Sequence, residues 1–438
     1  MNRDDICALT LFTRYPEPGK AKTRMIPLLG ADKAAQLQEC MTGYTVLRAR
    51  VWQACRDARV IVNHTGAAGS TFRQWLGPGL YYRPQGKGSL GDRMSHAVDD
   101  ALRQGFRKIV LMGCDCPGVT PMHIKSAFDA LDECDVVIGP ASDGGYYLIG
   151  MKNNYKSFFT DIDWGTGRVY DQTMRRIREG GLRCHELETL PDVDEAGDIH
   201  VWERILQPAR SFDSEHSLSV IIPAINESER ISDCVKSAFP GAFEVIVADG
   251  GSSDDTCKTA RDSGAKVIST PRGRAIQMNA AALKARGEYL LFLHADSRLP
   301  ENFDGHVHQT LSKPHVEAGA FSLAINADGS RYRAVEWGVH QRCRYCSMPY
   351  GDQALFMRRE TFWRMGGYAR MPLMEDHDMV RRIKKRGRIE VVDAAVLTSA
   401  RRWNRLGVAR TVWLNQIILL GARLGISHER LAEWYGKY

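Results

Sequence analysis

With 438 residues, 44% hydrophobic and 25% charged, the chain has the makeup of a soluble globular protein long enough for two or three domains, each with its own core. A formal net charge of +7 is spread rather than gathered into a tail, which suits phosphates or an anionic surface and gives no ground for a nucleic-acid partner. Eleven cysteines, an odd number without regular spacing, argue against a disulfide framework and for reduced, intracellular thiols.

In chain order, the apolar run Ile6 to Phe12 follows Met1 to Asp5 directly and is too brief and too poorly flanked for a secretion signal. Ala8 to Phe12 reads instead as a buried strand. The loop after it, Thr13-Arg14-Tyr15-Pro16-Glu17-Pro18-Gly19-Lys20-Ala21-Lys22-Thr23-Arg24, offers a glycine and several cations to a diphosphate or triphosphate. Lys108 to Met112 reads as a second buried strand, ending at Gly113-Cys114-Asp115-Cys116-Pro117. Gly139-Pro140-Ala141-Ser142-Asp143-Gly144-Gly145-Tyr146-Tyr147 reads as a turn with two crevice-wall tyrosines, and Leu190-Pro191-Asp192-Val193-Asp194 closes the acidic set.

Periodicity is lost between residues 207 and 216, as in a linker, and the strand Leu218 to Ile222 then starts a second half of the same plan. The expected domains are residues 1–210 and 217–438, and alternating strands and helical segments predict a parallel, doubly wound sheet in each. In the second half, Leu290 to Leu293 reads as a buried strand leading into His294-Ala295-Asp296, where one carboxylate can hold a divalent cation. The run 381–388 reads as a solvated basic helix face. Val412 to Leu420 is broken by Asn415 and Gln416 and followed by Arg423, so it cannot span a bilayer. A cytoplasmic protein is expected, with peripheral membrane contact left open.

Val247-Ala248-Asp249-Gly250-Gly251, the His294 to Asp296 segment, Tyr350-Gly351-Asp352-Gln353, Met374-Glu375-Asp376-His377-Asp378 and Arg401-Arg402-Trp403 occur in an order that resembles the inverting, nucleotide-sugar-dependent glycosyltransferases of family 2. Together with Gly273-Arg274-Ala275-Ile276-Gln277-Met278-Asn279, they resemble a branch of that family linked with arsenosugar biosynthesis and selenium-associated genes. The motifs of the first half resemble a glycosyltransferase-like family, DUF2064, which is similar to nucleotidyltransferases. The fold class so implied is α/β, with two tandem GT-A-like, Rossmann-like domains.

For the second half the resemblance implies Asp376 as catalytic base, aided by Glu375 and by Arg402 near the leaving diphosphate. Pro223, Glu227, Asp249, Arg272, Arg274 and Gln277 would bind the nucleotide, Asp352, Gln353 and Trp403 the acceptor, and Asp296 a Mg2+ or Mn2+ ion. For the first half it implies Lys22 and Arg24 as phosphate-cradling catalytic cations, Arg14 and Gly19 at the nucleotide, and Asp115, Asp192 and Asp194 at the metal. The implied partners are a UDP-linked sugar donor and a small acceptor, and for the first half a nucleoside triphosphate and a sugar phosphate. Three readings of the first half stay open: a nucleotidyltransferase making the donor, a second glycosyltransferase, or a nucleotide-binding module without turnover. Departures are His294 in place of the first acid of an Asp-x-Asp pair and Ser399 in place of a glutamine.

Overall fold

The computed structural model describes residues 6–207 and 217–436, and it excludes the side chains of Arg402 and Arg423. The chain divides into two compact units, Met1–Gln207 and Pro208–Tyr438. The expected linker, apart from Gln207, lies outside the described residues.

The first unit contains β1 (Cys7–Arg14), β2 (Ala58–Thr65), β3 (Tyr81–Pro84), β4 (Lys108–Gly113), β5 (Val136–Pro140), β6 (Tyr146–Met151) and β7 (Cys184–Glu186). They form one sheet in the order β3-β2-β1-β4-β6-β5-β7. β1 lies parallel to both β2 and β4. Covered on both faces, these strands read as apolar runs, and Ala8, Leu9, Val60, Val62, Ile109 and Val110 are fully buried.

The sheet is not wholly parallel, as the alternating pattern had predicted. β6 runs antiparallel to β4 and β5. Only residues 141–145 join β5 to β6, too few for a crossover helix, so the chain must double back. Gly144 takes φ 85° in that turn, and Asp143 Oδ1 accepts a 2.8 Å hydrogen bond from the Gly145 amide.

The second unit contains β8 (Leu218–Ala224), β9 (Glu244–Asp249), β10 (Lys266–Ser269), β11 (Tyr289–Phe292), β12 (Ser297–Arg298), β13 (Val316–Asn326), β14 (Phe356–Arg358) and β15 (Arg388–Ser399). Their order is β10-β9-β8-β11-β14-β13-β15-β12, with β14 antiparallel to both neighbours. Both sheets therefore open with four parallel strands whose order reverses beside the first, followed by one antiparallel strand. Both units are GT-A-like α/β folds, the expected class. In such sheets the crevice opens at the carboxyl ends where the strand order reverses. Asp115 stands just past β4 and Asp296 just past β11, at matching places on that rim.

The basic run 381–388 departs from a uniformly solvated face. Arg382 is buried on the helix Glu375–Ile383, paired with Asp378 at 2.8 Å and donating to the carbonyls of Met365 and Gly367. Among the described residues, no helix is long and apolar enough to cross a membrane.

Candidate active site

Two cavities open on the rim of the second sheet. The smaller, about 270 Å³, is lined by the loops after β8 and before the helix Arg274–Lys284, including Pro223, Glu227, Arg272 and Gln277. The larger, about 580 Å³, is lined by Asp352, Glu375, Asp376 and Trp403 and by the C-terminal helices. Gly273, Arg274, His294, Asp296 and Arg401 line both, so the cavities meet around the strand-end acid.

Charge at this junction is arranged in pairs. Arg401, first residue of the helix Arg401–Leu406, donates to both carboxylate oxygens of Glu227, at 2.6 and 3.3 Å. Asp296 lies beside this pair and is not part of it. Burial, and then the nearby Glu227 carboxylate, hold its carboxyl above the usual range, although Arg401 pulls the other way. His294 is pushed well below its usual range by burial and by the Arg274 guanidinium, so its imidazole is neutral at pH 7.

On the larger cavity, Met374 turns the chain through φ 70° and starts the helix Glu375–Ile383, which places Glu375 and Asp376 in its first turn. Asp376 Oδ2 accepts from the Gly351 amide at 2.6 Å and Oδ1 from the His377 amide at 2.7 Å. A Cβ at position 351 would stand 3.0 Å from Asp376 Oδ2 and 3.1 Å from His294 Nε2, so any larger residue would make one of these side chains shift by a few tenths of an ångström. Asp352 Oδ1 is buried without a hydrogen-bond partner, and burial raises its pKa. Burial also raises that of Glu375, against the pull of Arg274 3.7 Å away.

Several expected residues are not brought to these cavities. Gln353 is 1% exposed, its amide donating to the Phe321 carbonyl and accepting from Arg342 and the Tyr350 amide, so it braces the core instead of meeting an acceptor. Asp249 lines neither cavity. Burial would raise its pKa, but the hydroxyl and amide of Ser252 and the amide of Gly251 win and hold it low. Gln277 reaches the smaller cavity, but its amide nitrogen is committed to the carbonyls of Ala224 and Ala248, tying β8 to β9. The Arg402 side chain lies outside what is described. Arg401 and His294, named in the motifs without a site role, stand at the junction.

In the first unit, a cavity of about 310 Å³ is lined by Asp115, Asp143, Asp192 and Asp194 and walled by Phe12, Tyr146, Tyr147 and Trp164. Asp192 is pushed up to about 6 by burial and by Asp143. Lys22, Arg24, Arg14 and Gly19 are not among its lining residues, and Arg14 and Gly19 are exposed. The Lys22 side chain is 3% exposed, and its ammonium lies 2.6 Å from Asp115 Oδ1, 2.5 Å from the Val193 carbonyl and 3.3 Å from Asp194 Oδ1. Arg24 holds the other oxygen of Asp194 at 2.8 Å. Lys22 is turned to Asp115, Val193 and Asp194 and away from the cavity, which corrects the cradle expected from the sequence.

Among the described residues, no three His, Cys, Asp or Glu side chains converge as a metal cage. Asp296 nevertheless suits magnesium or manganese, which take one or two carboxylates and fill the remaining positions with water and phosphate oxygens. Asp115 and Asp194 do not fit an ion as they stand, because Lys22 already occupies both.

Fold and rim thus define two GT-A-like units, the second with two cavities that meet at its strand-end acid. Residues 219–369 match the model of glycosyl transferase family 2, and residues 47–166 match that of an uncharacterized protein conserved in bacteria, DUF2064. The second unit carries a family 2 glycosyltransferase domain and the first a DUF2064 domain.

The chain is 31% identical over 84 residues to an uncharacterized glycosyltransferase of Mycobacterium tuberculosis, 19% of this chain and 38% of that protein. It therefore spans less than half the length of the curated relatives it matches. A structure from Desulfovibrio desulfuricans, described as a candidate nucleotide-diphospho-sugar transferase, shows 32% identity over 49% of this chain and 92% of its own, with a TM-score of 0.42. Glucosyl-3-phosphoglycerate synthase of M. tuberculosis, in complex with Mn2+, UDP and glucosyl-3-phosphoglycerate, shows 20% identity over 50% of this chain and 86% of its own, with a TM-score of 0.34.

Proposed function

We propose that the second unit transfers a glycosyl group, with inversion, from a UDP-linked or related nucleotide sugar to a small acceptor. The observation that carries this reading is the meeting of the two cavities at Arg274, His294, Asp296 and Arg401, with the candidate base Asp376 on the larger side alone. The smaller cavity receives the nucleotide against Pro223, Glu227 and Arg272, and the larger receives the acceptor beside Asp352, Glu375 and Trp403.

As the acceptor oxygen bonds to the anomeric carbon, the sugar–phosphate C–O bond breaks and its electron pair leaves on the nucleoside diphosphate. Asp376 takes the acceptor proton, and the Gly351 amide fixes the orientation of its carboxylate. Arg274 and Arg401 face the charge that develops on the leaving diphosphate. A Mg2+ or Mn2+ ion at Asp296, when bound, neutralises diphosphate charge.

The test is a calorimetric screen of nucleoside diphosphates with and without Mn2+, followed by assay of nucleotide-sugar turnover. Binding of a diphosphate that Asp296→Asn weakens, together with sugar release or transfer, supports the reading. A folded protein that binds no nucleoside diphosphate overturns it.

For the first unit, the pairing of Lys22 with Asp115 and Asp194 favours ligand binding beside a transferase over nucleotidyl transfer through a metal at Asp115. Pyrophosphate release from a nucleoside triphosphate and a sugar phosphate would reverse that preference.

A further inference from the structure

The strand-end acids of the two units occupy matching places on matching sheets, but they are neutralised differently. Asp296 faces open cavity, and the Arg401 guanidinium beside it is tied to Glu227. Asp115 is met at 2.6 Å by an amine of its own chain.

Lys22 reaches that position at a cost. Its backbone sits at φ 46°, in the left-handed region, which a non-glycine residue keeps only where its surroundings hold it there. What holds it are its partners: the ammonium donates to the Val193 carbonyl and to Asp194 Oδ1 and pairs by charge with Asp115 Oδ1, a buried oxygen without a hydrogen-bond partner. The Val193 amide donates back to the Asp115 carbonyl at 2.9 Å, which ties the acceptor segment to the strand end, and Arg24 closes Asp194 from outside. Burial of the ammonium is outweighed by Asp115 and Asp194, so the lysine stays charged.

We infer that Lys22 is the resident cation of the first unit, its ammonium filling the place between Asp115 and Asp194 that a divalent ion would take, so that neither magnesium nor manganese binds there. An incoming ion would have to expel a buried ammonium from three partners. It could not share them, because two cations on the same carboxylates a few ångströms apart repel strongly where water is scarce. The inference does not depend on which reaction the second unit performs.

The test uses the full chain carrying Asp296→Asn, titrated with Mn2+ alone and followed by electron paramagnetic resonance and by melting temperature. Asp115→Asn is expected to leave its Mn2+ binding unchanged. Adding Lys22→Gln frees two carboxylates, and this variant should take up one Mn2+ ion, gain melting temperature on doing so, and lose both responses when Asp115→Asn is added. Lys22→Met, which removes the amine without adding a hydrogen-bonding group, should behave in the same way. If either lysine variant is too unstable in buffer, recovery of its melting transition by Mn2+ reads the same gain.

Mn2+ binding by the Asp296→Asn chain that Asp115→Asn abolishes would overturn the inference. So would folded Lys22 variants that remain empty. Residual binding that Asp115→Asn leaves untouched lies away from the Lys22 place and supports the inference.

Discussion

Asp376 and Gly351, 25 positions apart, are joined by a 2.6 Å hydrogen bond in which the glycine amide donates to carboxylate Oδ2. The bond aims the candidate base from the first turn of one helix across the acceptor cavity. Asp376→Asn keeps an oxygen for that amide but cannot take a proton. Transfer should fall by roughly a hundredfold or more, with donor affinity and melting temperature nearly unchanged. Rate, diphosphate affinity and melting measured on one sample check this, and normal transfer would remove Asp376 as base.

Gly351→Ala tests the same contact from the other side. The added methyl would press on Asp376 Oδ2 and His294 Nε2, so turnover should drop while overpacking at this rim costs about 1–3 kcal/mol. A variant that melts lower but turns over normally would show that the contact is structural alone.

Asp296→Asn should flatten the dependence of nucleoside diphosphate binding on Mn2+, because the amide is a poorer ligand for a hard cation. Calorimetry with metal and with chelator gives the comparison. An unchanged metal response in the folded variant would take Asp296 out of the site.

Arg401 is half-exposed and paired with Glu227, so the pair adds little to stability, about 1 kcal/mol at most. Arg401→Ala should therefore leave the melting temperature close to that of the parent and reduce turnover by about ten- to a hundredfold through lost charge at the leaving group. Arg401→Lys should recover only part of it, since one ammonium cannot reproduce the two-pronged contact. Steady-state kinetics separate the three proteins.

The Asp192 carboxyl, pushed up to about 6, binds its proton more tightly in the folded protein than in the unfolded chain. Its protonated form therefore contributes stability that is fully present below about pH 4 and is lost as pH rises through about 6. Relative to Asp192→Asn, the parent should lose melting temperature between those values. Parallel melting profiles for the two proteins would deny the shift.

The central strands and the acids at their ends were legible because doubly buried strands leave continuous apolar runs and an acid at their end stands out against them. The antiparallel β6 and β14 were not, since short strands carry no mark of direction and only the length of a turn reveals it. The role of Lys22 was hidden for another reason. A lysine in a glycine-containing loop after a strand reads as a phosphate ligand, and its carbonyl partner Val193 is 171 positions away. Gln353 sits beside an acid in a polar turn, and nothing local says that its amide points into the core. Arg401 and Arg402 are neighbours in sequence, so the motif alone could not decide which guanidinium meets Glu227.

That last pairing also sets the two rims apart by where their balancing cation comes from. In the first unit the balancing cation comes from the loop after the opening strand and is spent inside the unit, on Asp115 and Asp194. In the second it comes from the end of β15, on the far flank, and Arg401 reaches across to Glu227 and leaves Pro223 and Arg272 facing open space. One strand-end acid is thus covered by a cation from the loop after its own opening strand, and the other keeps an open face on the cavities beside it.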